Sequence, residues 1–281
     1  MSVSLIAVDV DGTLINSEGR VTDETKEAFR EATKAGIHLA LGTGRARDEC
    51  TPILKQLPEL RYMINCSGAS VYDIALEKEL YVEGIPMEII RRCYEILKDI
   101  PVYLFEPMID GHVYADRKRM EHLSEFQDHY YIETVRSTRT PTDIEALLET
   151  RMEPVPRLHL FFPNHETQER ARKLLEPVGL PILNSIPENL ELNMPTANKG
   201  LGLRRLAEYL NVPLENCMAI GDNLNDADML KAAGYPVLVA NAHADVLQYG
   251  KYRTKSCDED GVAHAIRHVL NGTVEAMRKE Q

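Results

Sequence analysis

Short apolar runs alternate with amphipathic helical patterns at both ends of the chain. At the amino end, an apolar run over residues 5–8 is followed by a helical pattern over residues 22–33 and a second run over residues 37–41. Near the carboxyl end, a helical pattern over residues 201–210 precedes an apolar run at residues 218–220. Buried strands that alternate with helices are typical of βαβ units, in which helices cover a parallel sheet. The alternation predicts an α/β fold with a Rossmann-like core around a parallel sheet.

The middle of the chain has a different pattern. It carries hairpin signals, such as Asp110-Gly111 between two short apolar runs, and a helical pattern over residues 167–175. We therefore predict an inserted α+β domain at residues 82–190. Residues 1–81 and 191–281 would then form the two parts of the core.

Charge and cysteine content narrow the classes of partner and compartment. The chain carries 32 Lys and Arg against 44 Asp and Glu, a formal net charge of −12, and no basic run. Such a chain repels polyphosphate backbones, so we do not expect nucleic acid as a partner. The five cysteines form no CxxC pair, and Asp9 ends the first apolar run too early for a signal peptide or a membrane span. We expect a cytoplasmic protein with no membrane partner; its oligomeric state is left open.

Two carboxylates follow the first predicted strand. Asp9 and Asp11 stand two residues apart in the segment Asp9-Val10-Asp11-Gly12-Thr13. One carboxylate can attack phosphorus or carbon as a covalent nucleophile, and a second can serve as general acid and base. A cation is then needed to relieve the repulsion between the two charges. On its own, the segment fits an ordinary Asx-rich turn equally well.

A second acidic segment follows the predicted strand at residues 218–220. It contains Asp222, Asn225 and Asp226. Oxygen ligands of this kind suit Mg²⁺, which prefers octahedral oxygen coordination. The alternative is a helix N-cap with acidic residues in the first turn.

Two further segments could hold a phosphate group. Thr43, Gly44 and Arg45 follow the second strand and open a predicted helix, so a hydroxyl, backbone N–H groups and a guanidinium meet there. Lys199 falls in the first turn of another predicted helix, where the helix dipole disfavours a cation unless an anion lies nearby. Tight packing and a solvated surface lysine are the ordinary alternatives.

Together these four segments resemble the haloacid dehalogenase superfamily of phosphatases. The similarity is to its Cof-type, sugar-phosphatase-like branch, which has a large α+β cap of the C2 type. The chain resembles motif one at residues 9–13, motif two at Thr43, Gly44 and Arg45, motif three at Lys199, and motif four at residues 221–226. Residues 258–263 resemble the carboxyl-terminal signature of that branch.

The resemblance implies a role for each segment. Asp9 would attack phosphorus and form an aspartyl phosphate, while Asp11 protonates the leaving alcohol and then activates water. Thr43 and Lys199 would hold phosphate oxygens, and Gly44, Arg45 and Asn225 would also belong to the phosphate- and substrate-binding residues. Mg²⁺ would bind Asp9, the backbone carbonyl of Asp11 and Asp222, with support from Asp226 and Asn225.

The resemblance also implies a substrate class and leaves rivals open. The expected activity is Mg²⁺-dependent hydrolysis of a small phosphorylated metabolite, with a sugar phosphate as the favoured class and the insertion acting as a lid. A phosphomutase of the phosphomannomutase type is an alternative, and so is a phosphometabolite-binding protein without turnover. Ser67 stands where the branch often has Asn.

One pair of residues lies outside these motifs. His264 and His268 are four residues apart on a predicted helix, which is the spacing of a zinc-binding pair. No Glu follows His264 in the HExxH manner, so the sequence favours an ordinary helix face.

Overall fold

A computed structural model describes residues 3–123, 129–184 and 187–278, with only the backbone described for residues 129–131. In chain order, the strands of the described chain are β1 (Leu5–Val8), β2 (His38–Gly42), β3 (Tyr62–Asn65), β4 (Ser70–Asp73), β5 (Lys78–Val82), β6 (Leu104–Ile109), β7 (His112–Asp116), β8 (Arg139–Thr142), β9 (Leu158–Phe161), β10 (Ile182–Leu183), β11 (Asn189–Leu192), β12 (Cys217–Gly221), β13 (Tyr235–Leu238) and β14 (Tyr252–Arg253). Its α-helices are α1 (Asp23–Lys34), α2 (Thr51–Leu54), α3 (Met87–Ile96), α4 (Arg117–Met120), α5 (His129–Thr138), α6 (Ile144–Thr150), α7 (His165–Leu175), α8 (Lys199–Tyr209), α9 (Ala227–Ala232) and α10 (Gly261–Leu270).

The chain divides into two compact units. The first contains the described residues up to 45, residues 50–81 and those from 198 onward. The second contains residues 46–49 and 82–197.

The first unit is built on an eight-stranded sheet in the order β14-β13-β12-β1-β2-β3-β4-β5. The five pairings from β14 to β3 are parallel, and β4 runs antiparallel to β3. Helices cover both faces: Ile6 and Val8 of β1 belong to the apolar cluster that includes residues of α1 and α10, while Leu5 and Ala7 belong to the one that includes residues of α8 and α9. Burial on both faces explains why β1 is a continuous apolar run. The predicted α/β fold with a Rossmann-like parallel core is confirmed.

The second unit has a six-stranded sheet in the order β10-β11-β9-β6-β7-β8. Its pairings are antiparallel except for β7 with β8. Apolar residues of α3, α6 and α7 pack with those of the strands in one cluster.

The second predicted domain boundary is misplaced. It was set after residue 190, which lies inside β11, a strand that pairs with β9 along its whole length. Leu190 and Leu192 are both fully buried in the apolar cluster of the second unit. Strand pairing and packing thus hold residues 191–197 with the insertion rather than with the core.

In the part of the chain that the structure describes, no helix is both long and apolar enough to cross a bilayer.

Candidate active site

Three neighbouring parallel strands end at the same edge of the first unit's sheet. β1 lies between β12 and β2, and Asp222, Asp9 and Thr43 directly follow these three strands. The backbone N–H of Asp9 donates to the carbonyl of Ile220, and that of Thr43 donates to the carbonyl of Ile64. In an open α/β sheet, ligands usually bind in the crevice at the carboxyl ends of the parallel strands, at the point where the order of the strands along the chain reverses.

A tight turn carries the loop that follows β1. Gly12 has a φ of +81°, and a Cβ built on it would lie 2.6 Å from Oδ2 of Asp222. Both the left-handed backbone and the close approach therefore require glycine at this position. The next residue, Thr13, donates its hydroxyl hydrogen to Oδ1 of Asp222 at 3.0 Å. The loop thus fixes one oxygen of the Asp222 carboxylate.

Three carboxylates lie together behind this loop. One oxygen from each of Asp9, Asp222 and Asp226 lies within 4.8 Å of the other two. Asp9 is 4% exposed and Asp226 is completely buried. An all-oxygen group of this kind fits a hard divalent cation such as Mg²⁺.

Lys199 partly neutralises the carboxylate group. Its Nζ lies 2.5 Å from Oδ1 of Asp9 and 2.6 Å from Oδ1 of Asp226. Burial alone would lower the pKa of Lys199, but the charges of Asp9 and Asp226 raise it above its ordinary value. The lysine is therefore a buried cation.

In Asp9 and Asp222, burial outweighs the attraction of Lys199, so the pKa of each carboxyl group is raised. Burial raises the pKa of Asp9 well above its ordinary value, Lys199 lowers it, and the negative charges of Asp226 and Asp222 raise it further. Burial also raises the pKa of Asp222, although the hydrogen bond from Thr13 acts against this. Negative charge is thus in excess over positive charge in this group, which is the condition under which a divalent cation binds.

The start of α8 places Lys199. Asn198 caps the helix by accepting a hydrogen bond from the backbone N–H of Leu201 at 2.8 Å. Gly68 packs directly against this turn, since a Cβ on it would lie 1.9 Å from the carbonyl oxygen of Asn198. The glycine in the segment Ser67-Gly68-Ala69 therefore lets the helix start approach β3 closely.

Asp226 accepts hydrogen bonds from the backbone of its own loop in addition to the one from Lys199. Its Oδ2 accepts hydrogen bonds from the backbone N–H groups of Asp222 at 3.0 Å and Asn223 at 3.1 Å. Asn225, which the sequence assigns to substrate binding, is exposed, and its side chain makes no hydrogen bond to any described residue. The structure thus brings Asp226 to the group but shows no contact for Asn225.

The loop after β2 brings Thr43 and Arg45 to different partners. Thr43 is buried, and its Oγ1 accepts a hydrogen bond from the backbone N–H of Arg45 at 3.1 Å. The guanidinium of Arg45 pairs with Asp11, with Nε 3.0 Å from Oδ2 and Nη2 2.6 Å from Oδ1. Arg45 thus contacts the second carboxylate of the first motif. Gly44 lies between Thr43 and Arg45, and a Cβ on it would meet Oγ of Ser67 at 3.5 Å.

Sequence reasoning missed the residues that anchor the loop after β1. Asn241 donates from Nδ2 to the carbonyl of Gly12 at 2.8 Å and accepts from the backbone N–H of Cys257 at 2.9 Å. Asp258 accepts a hydrogen bond from the backbone N–H of Ser17 at 2.8 Å. The match of residues 258–263 to the branch's signature pointed to this segment, but only the contacts show that it binds the loop of the first motif.

Comparison with known proteins places the chain in a family. A family model described as haloacid dehalogenase-like hydrolase matches residues 6–266. Phosphatase YwpJ of Bacillus subtilis (strain 168) is 30% identical over 294 residues, which cover 95% of this chain and 100% of that protein. The 5-amino-6-(5-phospho-D-ribitylamino)uracil phosphatase YcsE of the same strain is 30% identical over 272 residues, covering 95% and 96% of the two chains. A solved haloacid dehalogenase-like hydrolase from Bacteroides thetaiotaomicron superposes with a TM-score of 0.78 at 26% identity, covering 95% of this chain and 100% of that one.

The chain belongs to the haloacid dehalogenase-like hydrolases. Within them it is a phosphatase of the Cof type, as the sequence motifs predict.

Proposed function

We propose that this phosphatase is a Mg²⁺-dependent phosphomonoesterase that hydrolyses a small phosphorylated metabolite through an aspartyl-phosphate intermediate. The observation that carries the proposal is the buried group in which Lys199 contacts Asp9 and Asp226 while Asp222 lies beside them. A nucleophilic carboxylate, a fixed cation and an excess of negative charge meet there within a few ångströms. This arrangement suits the transfer of a phosphoryl group to a carboxylate.

Lys199 orients the nucleophile. Its Nζ binds Oδ1 of Asp9, so Oδ2 is the oxygen that attacks phosphorus. Attack forms the bond from Oδ2 to phosphorus and breaks the bond from phosphorus to the ester oxygen. Thr43, the backbone N–H of Gly44 and Lys199 hold the phosphoryl oxygens. Mg²⁺, held by Asp9, Asp222 and the backbone carbonyl of Asp11 with Asp226 in support, would offset the negative charge of the phosphoryl group.

Asp11 acts as the general acid and then as the general base. Its side chain is 56% exposed, and Arg45 donates one hydrogen bond to each of its oxygens, so the carboxyl group is both oriented and accessible to a leaving group from the solvent side. In the first half-reaction it donates a proton to the departing alkoxide. In the second it takes a proton from the water that attacks the aspartyl phosphate, and inorganic phosphate is released.

The substrate class we propose is a phosphate ester of a sugar or polyol chain. The relative YcsE is named for a substrate with a phosphorylated ribityl chain, and 30% identity extends over nearly all of both proteins. The prediction that the insertion selects the substrate stays a prediction.

The test is phosphate release from a panel of sugar phosphates, polyol phosphates, nucleotides and flavin mononucleotide, with Mg²⁺ and with EDTA. The wild type should release phosphate only with Mg²⁺, and Asp9→Asn should lower the rate by more than about 10³-fold. Asp99→Asn is the matched control, because Asp99 is exposed and has no hydrogen-bond partner among the described residues. A wild-type rate in Asp9→Asn would exclude the covalent mechanism. Isomerised sugar phosphate without released phosphate would indicate a mutase instead.

A further inference from the structure

A second group of potential metal ligands lies on α10, away from the residues of the proposed mechanism. His264 and His268 lie one turn apart, with ring centroids separated by 4.6 Å. Both rings line a surface cavity of about 510 Å³, together with Glu24, Lys255, Glu259 and Arg267. Two histidines at i and i+4 on one helix face can bind the same metal ion.

The hydrogen bonds of His268 determine its tautomer. Its Nδ1 lies 3.0 Å from the backbone carbonyl oxygen of Thr273 and 2.8 Å from Oγ1 of the same residue. A carbonyl oxygen can only accept, so Nδ1 must carry the hydrogen. In the neutral ring, Nε2 is then left with a lone pair.

A different set of contacts gives His264 the same tautomer. Its Nδ1 lies 2.9 Å from Oγ1 of Thr254. That hydroxyl donates its single hydrogen to the carbonyl of Gly261 at 2.7 Å, so towards His264 it can only accept. Nδ1 of His264 therefore carries the hydrogen, and Nε2 again has a lone pair.

Neither Nε2 is used within the described protein. No hydrogen bond joins the Nε2 of His264 or His268 to another described residue. Burial, with the nearby His268 and Lys255, lowers the pKa of His264, which favours the neutral ring at neutral pH. The cation of Arg267 is paired with Glu24 at 2.5 Å.

This arrangement is the one found in metal-bound histidines. Such residues donate the other ring N–H to an oxygen, which fixes the ring and leaves the coordinating nitrogen bare. Among the described residues, only Asp9, Asp222 and Asp226 form a group of three possible ligands within 4.8 Å. The helix pair thus offers two protein ligands, and water would complete the coordination shell.

We propose that His264 and His268 form a second metal site, which takes a first-row transition ion such as Zn²⁺, Ni²⁺ or Cu²⁺ through both Nε2 atoms. Imidazole nitrogen suits these ions, whereas an all-oxygen carboxylate group suits Mg²⁺. The site is independent of the proposed phosphatase mechanism, since none of its residues takes part in it.

The first test reads the tautomers directly. Nitrogen-15 NMR of the metal-free protein at about pH 7.5 should show a protonated Nδ1 and an unprotonated Nε2 in both rings. Added Zn²⁺ should shift the Nε2 resonances of these two histidines. A hydrogen on either Nε2 would contradict the proposal.

The second test is a Zn²⁺ or Cu²⁺ titration followed by calorimetry, with saturating Mg²⁺ to occupy the carboxylate group. One equivalent should bind to the wild type, and His264→Asn or His268→Asn should each weaken that binding by about tenfold or more. His165→Asn is the control, because this exposed histidine lies on α7 in the second unit. For Cu²⁺, electron paramagnetic resonance should show coupling to two nitrogens. Binding that is the same in all three variants would overturn the assignment.

Discussion

Replacing the proposed nucleophile should stabilise the metal-free protein. Asp9→Asn keeps the shape of the side chain and its ability to accept a hydrogen bond from Lys199, but removes a buried negative charge. In a folded protein without bound cation this charge is held at a cost, because burial raises the pKa of Asp9 well above its ordinary value of 3.8. An active-site substitution that removes activity is therefore expected to increase the free energy of unfolding.

The distances give the magnitude. With an effective dielectric constant of about 20, the contact of 2.5 Å between Asp9 and Lys199 is worth about 7 kcal/mol of attraction. One oxygen each of Asp222 and Asp226 lies within 4.8 Å of one oxygen of Asp9, so each carboxylate repels Asp9 by about 3 kcal/mol or more. The attraction and the two repulsions nearly cancel, and the desolvation of the carboxylate is left uncompensated. We expect Asp9→Asn to gain about 1–3 kcal/mol, or roughly 2–6 °C in Tm.

The effect should depend on pH with a definite sign. A raised pKa means that the folded protein binds the Asp9 proton more tightly than the unfolded chain does. When the pH lies above the pKa of Asp9 in the folded protein, the buried charge therefore lowers the free energy of unfolding of the wild type by its full amount. As pH falls through that value towards 3.8, the folded carboxyl takes up its proton and the difference from Asp9→Asn shrinks.

Differential scanning calorimetry in EDTA and in Mg²⁺ measures both the effect of the buried charge on Tm and the stabilisation by the metal ion. In EDTA the variant should have the higher Tm, and Mg²⁺ should raise the Tm of the wild type more than that of the variant. Asp99→Asn should match the wild type in both buffers. If Asp9→Asn is less stable than the wild type in EDTA at neutral pH, the attraction of Lys199 outweighs burial and the reasoning is refuted.

Three other substitutions test separate parts of the site. Gly12→Ala should displace the Asp222 carboxylate and reduce the Mg²⁺-dependent rise in Tm, whereas Gly36→Ala, with the same φ of +81° and no atom within 4 Å of its Cβ, should carry only the backbone strain. Lys199→Met should destabilise the protein by about 3–5 kcal/mol in urea unfolding, because two buried carboxylates lose their partner; a neutral result would contradict the buried ion pairs. Ser67→Asn should stabilise the protein by about 0.5 kcal/mol. Ser67 has φ and ψ of 56° and 32°, which are left-handed values that Asn adopts more readily than Ser. A Tm below that of the wild type would contradict this reasoning.

The core of the fold was predictable because its strands are buried on both faces. A strand such as β1 must then be apolar at every position, and a polar residue such as Asp9 marks the point where it leaves the sheet. The ends of β12, β1 and β2 could be located in this way, and with them the carboxylates and the hydroxyl that follow. The boundary after residue 190 could not be located, because Asn189 and Glu191 alternate with Leu190 and Leu192 in β11, and this pattern does not indicate which of the two sheets the strand joins.

What the sequence could not provide was the direction of the side chains once the loops met. Arg45 follows Thr43 and Gly44 at the start of a predicted helix, so proximity in sequence suggested a phosphate ligand. The structure turns its guanidinium to Asp11, which lies on the neighbouring loop, and both nitrogens that face the carboxylate are used. A bidentate pair of this kind is strong enough to set the orientation of both side chains. Arg45 therefore fixes the Asp11 side chain in this structure, and its assignment to the phosphate stays a prediction, as do those of Thr43, Gly44 and Lys199.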